Sequence, residues 1–291
     1  MNSRCLFLLM LAIGMHTVQA QDADTFAIPE PEPEIYAEET FRTFRLVNGH
    51  STETLWGRNL HFGISHRFQG PVSDGVKTFW GLDQYADIRF ELGYGITDNL
   101  SIGAGRSRAN KLYDTWAKYR VLRQRTRGWP LTVTVFASAS ADTDEWSAIE
   151  QEALSFRHRL AYCGQVLIAS WITSFLSVQA APMVVHRNLV SAVQERNTLY
   201  ALTLAARARI TDKIAVLAEY TRRLNPAEVP GQPRYDAFGI GLDFTTPRHG
   251  FQIQFTNTNF IIEQAWVPET PNAFRTRGPQ IGFHITRLFQ L

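Results

Sequence analysis

The sequence predicts an all-β chain that folds as a closed, antiparallel transmembrane β-barrel of about twelve strands, with short periplasmic turns and longer outer loops. Three observations favour this fold class: an export signal, strand-length segments of alternating polarity, and connections that are alternately short and long. The alternation is clearest over residues 85–108, where Asp87, Arg89 and Glu91 lie on one face and Phe90 lies on the other. We expect the apolar face to contact lipid and the polar face to line a lumen.

Residues 1–20 have the form of a secretory signal peptide, with basic Arg4, an apolar run and a small-residue ending before the expected cleavage site. The protein is therefore expected in the outer membrane. Removing Arg4 with the leader lowers the formal net charge from +2 to +1, 28 basic against 27 acidic residues, so no nucleic acid partner is expected. Cys163 is the only cysteine after the leader, which excludes an intramolecular disulfide.

Residues 21–39 carry seven acidic side chains, no basic one and three prolines, a composition typical of an extended, solvated linker in the periplasm. Residues 40–59 precede the first strand and form either a short periplasmic strand or a segment tucked into the barrel mouth. The whole stretch 21–59 is also a candidate docking segment for a periplasmic partner. Residues 60–291 are assigned to the barrel.

Twelve segments have the length and polarity of membrane-crossing strands. They cover residues 60–69, 85–95, 99–108, 112–123, 131–141, 155–169, 175–187, 198–209, 214–223, 235–245, 250–258 and 279–291. The connections after the second, sixth, eighth and tenth segments are short, whereas those after the first, fifth, seventh, ninth and eleventh are longer and polar. Residues 144–154, in one of the longer connections, have a helical pattern. Short turns on one side and long loops on the other are typical of outer-membrane barrels.

A short repeat marks three of the turns. Residues 96–100, 172–176 and 210–214 read ITDNL, ITSFL and ITDKI, and each lies at a predicted strand-turn-strand junction. The final segment has an apolar face that includes Phe283 and Phe289. Such a strand resembles the signal recognised by the outer-membrane assembly machinery. We therefore expect that machinery, outer-membrane lipid and lipopolysaccharide as partners.

Five tryptophans fall near the expected membrane boundaries. Trp129 and Trp171 lie on the short-turn side, and Trp80, Trp146 and Trp266 lie in outer loops. Their positions predict interfacial aromatic girdles, with the filling of a soluble core as the alternative.

The chain from about residue 40 to residue 291 resembles a family of exported proteins known as domain of unknown function 5777, described as a membrane-bound β-barrel domain. The resemblance rests on six short motifs. They are VNGHS at 47–51, ISHRF at 64–68, FWGLD at 79–83, GITDNL at 95–100, HRNL at 186–189 and FTN at 255–257. It implies architecture and location. It carries over no functional residue, because the family brings no established activity with it.

The polar cluster of Asn48, His50 and Ser51 invites comparison with a serine-histidine hydrolase of the outer-membrane phospholipase type. That type resembles a His-x-Ser pair on one face of a strand, whereas His50 and Ser51 are adjacent and would point in opposite directions. A polar turn at Asn48 and Gly49 is the favoured interpretation, and the protein is not expected to be an enzyme.

Of four further histidines, one pair is a candidate for binding a metal ion or lipopolysaccharide. His61 and His66 are five residues apart on one strand, so they face opposite sides and cannot share a metal ion. His158 and His186 are each 14 residues from Ile172, so a turn there would pair them on the outward face at the outer rim. The alternative is that they are interfacial polar residues. No motif for a cofactor or a metal site appears, so none is expected.

The inward face carries the main candidates for solute contact. In the predicted register these are Asp87, Arg89, Glu91, Lys118, Arg120, Arg157, Arg159, Arg207, Arg209, Glu219 and Asp243. Seven are basic and four acidic, which favours a narrow, slightly anion-selective passive pore or a small-ligand cavity. The alternatives are a salt-bridged set of side chains that fills the barrel, and a structural or partner-docking barrel without conductance.

Overall fold

The alternating segments form twelve antiparallel strands arranged in a closed ring. The structure is a computed structural model that describes residues 36–37 and 40–291, so the predicted signal peptide and most of the predicted linker lie outside the described residues. The strands are β1 (Asn59–Pro71), β2 (Ala86–Gly95), β3 (Leu100–Ser107), β4 (Tyr113–Leu122), β5 (Thr132–Ala141), β6 (Leu160–Thr173), β7 (Leu176–Arg187), β8 (Thr198–Arg209), β9 (Ile214–Arg223), β10 (Ala237–Thr245), β11 (His249–Thr256) and β12 (Gln280–Gln290). Strand β1 pairs with β12 and closes the ring, which confirms the predicted fold class.

The two faces of the strands differ as the alternation predicts. In β2, Asp87, Arg89 and Glu91 are each 1% exposed, whereas Phe90 and Leu92 are more than half exposed. The same alternation continues along β4 and β7 to β10. Exposed apolar side chains around the whole ring would be unfavourable in water, but they suit a hydrocarbon environment.

Threonine side chains set the short turns. In the β2–β3 turn, Thr97 Oγ1 accepts a hydrogen bond of 3.1 Å from the backbone N–H of Leu100. Thr173, Thr211 and Thr246 each do the same for the residue three positions later. The repeated Ile-Thr motif therefore marks a hydroxyl that satisfies backbone donors where the ladder ends, and Thr246 does so without the motif.

Short helical pieces lie in the longer loops. Three are 3-10 helices, at Val72–Gly81, Ala109–Lys111 and Phe156–Arg159, and three are α-helical, at α1 (Ala148–Ala153), α2 (Glu263–Trp266) and α3 (Phe274–Arg277). Helix α1 confirms the helical pattern predicted over 144–154, and Ser147 and Glu150 form its capping box. No helix within the described residues is long and apolar enough to cross a membrane.

The predicted position of the sixth strand is wrong. Residues 156–159 form a 3-10 helix, and β6 begins at Leu160 and continues to Thr173. His186 therefore pairs with Tyr162, and the predicted pairing of His158 with His186 is wrong. His158 Nδ1 instead accepts a hydrogen bond from the N–H of Ser155.

Candidate functional site

The barrel lumen is occupied by residues 40–58, here called the lumen segment. Its two ends lie at the short-turn end of the barrel, where Ala37 N–H bonds to Gln124 O and Arg58 N–H bonds to Gly95 O. Between them the chain folds back on itself through a bridge between Arg45 and His50. The predicted polar turn at residues 48–49 forms the tip of this hairpin, and most of the segment is buried.

The tip is held by charged side chains of the barrel wall. Glu219 on β9 accepts hydrogen bonds from the backbone N–H of Asn48 at 2.9 Å and of Gly49 at 3.1 Å. Glu219 is five residues from the start of β9, about 17 Å along the strand. Arg67 on β1 donates to Val47 O and Asn48 Oδ1, both at 3.0 Å. The tip thus lies deep in the barrel, where its backbone groups form hydrogen bonds with charged side chains of the wall.

Lys118 on β4 binds both arms of the hairpin. Its Nζ donates to the backbone carbonyl oxygens of Phe44 at 3.1 Å, Ser51 at 2.9 Å and Glu53 at 3.1 Å. The same Nζ lies 3.6 Å from the centre of the Phe44 ring. Because Lys118 is fully buried, each of these contacts is made away from water, where hydrogen bonds to a charged group are strongest.

A cluster of three charged side chains on β2 and β4 also connects the wall to the lumen segment. Arg89 on β2 forms a two-point ion pair with Asp114 on β4, at 3.0 and 2.7 Å. It also donates to Glu91, whose Oε2 lies 3.4 Å from Arg45 Nη1 of the lumen segment. These charges are paired with one another and with the lumen segment.

The loop between β11 and β12 enters the barrel from the long-loop end. Arg45 Nη2 donates to Ile261 O at 2.9 Å, and His50 Nε2 lies 3.9 Å from Glu263 Oε1. Trp266 is fully buried in a cluster that includes Phe44 and other aromatic side chains of the wall. The prediction that Trp266 is an interfacial loop residue is therefore wrong, because this loop turns inward.

The electrostatics of the contact between the two segments favour neutral His50. Burial, and then the neighbouring cations Arg45, Lys118 and Arg89, hold the pKa of His50 well below its usual value. Burial raises the pKa of Glu263. A neutral His50 ring can accept the hydrogen bond that Arg45 Nη1 donates to Nε2 at 3.0 Å.

The structure places the predicted lumen residues in two groups. The eight buried on the inward face are Asp87, Arg89, Glu91, Lys118, Arg120, Arg207, Glu219 and Asp243, and Arg209 is half-buried at the end of β8. Arg157 and Arg159 are not on a strand as predicted, because their stretch is a 3-10 helix. Arg159 stacks on Trp146 and donates to Asp142 O and Asp144 O of the outer loop.

The predicted set missed three further inward charges. Arg67, Asp114 and Arg223 are all buried in the barrel. Each lies at an inward position of its strand, so the period of two could have found them. Glu263 carried no such signal, because it lies in a loop.

The histidines that the structure describes are not grouped with other metal-binding side chains. His61 faces inward and His66 faces outward, as predicted. Among the residues that the structure describes, no group of three or more His, Cys, Asp or Glu side chains is placed to hold a metal ion. Ser51 Oγ donates to Thr43 O and His50 Nε2 contacts Arg45, so these two side chains do not pair.

A cavity lies at each end of the filled lumen. One of about 570 Å³ opens at the short-turn end, between the lumen segment and the wall formed by β1 and β10 to β12. The other, of about 260 Å³, lies at the long-loop end beside α2 and the Phe156–Arg159 helix. Solutes entering from either end would therefore reach a cavity before they reach the closed middle.

Residues 41–289 match the family described as membrane bound beta barrel domain (DUF5777). No functionally curated protein matches this sequence. Among solved structures, the NanC porin is similar with 9% identity and a TM-score of 0.49, over 80% of this chain and 100% of that one. The KdgM porin is similar with 8% identity and a TM-score of 0.47, over 79% of this chain and 99% of that one. An outer membrane channel from Pseudomonas putida F1 is similar with 12% identity and a TM-score of 0.44, over 82% of this chain and 98% of that one.

Proposed function

This chain belongs to the DUF5777 family of membrane bound beta barrel domains, and from that premise we propose that it is an outer-membrane channel for small polar solutes, closed by its own lumen segment. The observation that carries the proposal is the way the lumen is filled. Fixed charges of the wall, above all Lys118 and Glu219, hold a separate stretch of backbone in the path. A barrel filled only by wall side chains would have no element to move.

The geometry of the lumen segment suits a gate. Both of its ends lie at the same mouth, so the hairpin can leave the barrel without threading through it. The tip is held by hydrogen bonds to Glu219 and Arg67, which water can replace at a net cost of about 1.5–3 kcal/mol each because these groups are charged. The chain before the segment is the acidic stretch 21–39, on which a periplasmic partner could act.

The experiment is a comparison of conductance in planar bilayers. The wild-type barrel and a variant lacking residues 40–56 are purified and inserted under the same conditions. We expect the wild type to remain closed for most of the recording and the deletion variant to give steady current, because the deletion removes the hairpin that fills the lumen. Circular dichroism and heat-modifiable gel migration establish that the variant is still a folded barrel.

A folded deletion variant without current would overturn the channel proposal. It would favour the second candidate function, a structural or partner-docking barrel. The filled lumen is the observation that favours this alternative. Since the lumen segment is buried, a periplasmic partner of residues 21–59 would have to bind mainly through 21–39. Crosslinking that repeatedly captures one periplasmic protein on that stretch would support it.

The proposed location brings further partners. Lipid and lipopolysaccharide would contact the apolar outer face of the barrel. The assembly machinery would recognise β12, whose outward residues include Phe283, Ile285 and Phe289. The proposed role requires no enzymatic activity and no cofactor.

A further inference from the structure

The cavity at the short-turn end has the size of a small-molecule site. Its volume of about 570 Å³ falls among the pockets of about 300–1,000 Å³ that hold small organic ligands. The lumen segment forms one side of it, and the opposite side carries inward residues of β1, β11 and β12. The cavity therefore lies between the lumen segment and the barrel wall.

Two buried imidazoles lie in the cavity wall with nitrogen atoms that have no hydrogen-bond partner. His61 is 1% exposed and neither of its ring nitrogens is bonded. His284 is 6% exposed; its Nδ1 is 2.6 Å from Ser65 Oγ, and its Nε2 is not bonded. Leaving a buried polar atom unbonded costs about 1–3 kcal/mol. His61 Nδ1 lies 3.8 Å from Glu91 Oε1, which leaves Nε2 of each ring for a ligand hydroxyl that can both donate and accept.

Gly63 brings the two rings together. It lies between them on β1, and a Cβ placed there would be 3.0 Å from His61 Cε1 and 3.5 Å from His284 Cε1. Both rings thus converge over a residue without a side chain. A larger residue would push the His61 ring away from that position.

Apolar surfaces border the imidazole pair. The Phe44 ring lies 5.4 Å from the His61 ring, centre to centre. Trp56 and Leu288 also line the cavity. A ligand that fills this space needs an apolar, ring-like body in addition to its hydrogen-bonding group.

The rim of the cavity favours an anion. Lys213 and Arg248 lie in two neighbouring turns, and neither side chain makes a hydrogen bond or an ion pair with the described part of the chain. Asp212 is a rim carboxylate whose side chain likewise makes no hydrogen bond or ion pair with the described part of the chain. Two cations against one anion leave a positive rim at the solvent-facing end.

The distance between rim and imidazoles fits a small ligand. Arg248 O accepts a hydrogen bond from Leu288, which is the β12 partner of His61. The two rings converge at Gly63, two residues deeper along β1, which is about 7 Å. A single substituted ring is long enough to reach from the level of the Arg248 carbonyl to that of Gly63.

We infer that this cavity binds a hydroxylated aromatic acid, with its carboxylate at Lys213 and Arg248 and its hydroxyl group between His61 and His284. The inference rests on the proposed function in that it names a solute class for the same lumen. Binding and conductance are nevertheless separate measurements. A wild-type barrel that binds the ligand, together with a folded deletion variant that gives no current, would overturn the channel and leave the site in place.

The test uses 4-hydroxybenzoate as the probe, with benzoate and 4-hydroxybenzamide as matched compounds. Each is titrated by calorimetry into the full-length mature barrel in lipid nanodiscs, with empty nanodiscs as the blank. We expect saturable binding of 4-hydroxybenzoate. Benzoate lacks the hydroxyl and 4-hydroxybenzamide lacks the charge, so each should bind about tenfold more weakly, the equivalent of one hydrogen bond or ion pair of about 1.4 kcal/mol.

The protein variant that tests the rim is Lys213→Gln with Arg248→Gln, since both residues lie in exposed turns. It should weaken 4-hydroxybenzoate binding about tenfold or more and leave 4-hydroxybenzamide unchanged. The matched control is Arg275→Gln, which removes an exposed cation at the long-loop end. It should change the binding of neither 4-hydroxybenzoate nor 4-hydroxybenzamide. The inference is overturned if 4-hydroxybenzoate does not bind saturably, if the double variant binds it as the wild type does, or if benzoate binds equally well.

Discussion

Replacing Lys118 with methionine should release the lumen segment without unfolding the barrel. The substitution keeps a long apolar stem but removes the Nζ that bonds to three backbone carbonyl oxygens. A hydrogen bond to a charged group contributes about 1.5–3 kcal/mol to stability, and this substitution removes three of them. Because 1.4 kcal/mol corresponds to a factor of ten, the population with the segment released should rise about a hundredfold or more.

Trypsin can measure that population by its cleavage after Arg45, which is buried in the closed barrel. When release and rebinding are fast relative to cleavage, the cleavage rate follows the open population. The control is Lys111→Met, because the Lys111 side chain is half exposed and its ion pair with Asp144 lies at the surface, where water screens it. Equal cleavage of the two variants would show that Lys118 does not hold the segment.

Replacing Trp266 with alanine should lower the free energy of unfolding by about 3–5 kcal/mol, as for other large aromatic side chains in a packed interior. Trp266 is fully buried, and it packs in the same cluster as Phe44 and Trp116. Trp146 is the matched control, since it lies in an exposed loop where its main contact is the guanidinium of Arg159, worth about 0.5–1 kcal/mol. Urea or guanidinium unfolding in lipid vesicles measures both.

The comparison of the two variants distinguishes a loop that packs inside the barrel from a loop that lies at the membrane boundary. Both were predicted from the sequence to lie in outer loops near the membrane boundary. Similar small decreases in the free energy of unfolding for Trp266→Ala and Trp146→Ala would indicate that Trp266 lies in the interfacial aromatic girdle. That result would contradict the packing of this loop inside the barrel.

The strands were predictable because the signal is local. One inward and one outward residue alternate wherever one face meets lipid and the other faces the lumen, and β2 shows this over its whole length. The same rule failed at residues 155–159. Phe156 and Arg157 alternate there as in a strand, but Ser155 caps a helical turn, and Arg159 leaves the barrel line to stack on Trp146.

The filling of the lumen was not predictable in the same way, because it depends on contacts between distant residues. Asn48 and Glu219 are 171 positions apart, and nothing in either local sequence indicates the other. A weaker signal did exist for the inward loop. The apolar runs at 260–262 and 265–267 interrupt a connection that was read as polar, and both are buried or half-buried inside the barrel.

The central claim is that the lumen segment lies inside the barrel, against β10. A Cβ on Gly239 would lie 3.1 Å from the Val47 Cβ, close to the 3.5–4.5 Å that a disulfide needs. The most direct test is therefore to oxidise a Val47→Cys, Gly239→Cys variant in intact membranes and follow the disulfide by gel mobility and mass spectrometry. We predict a bond that forms in nearly every folded molecule and is absent from either single variant. A folded double variant whose two thiols stay free after oxidation would place the segment elsewhere and contradict the account.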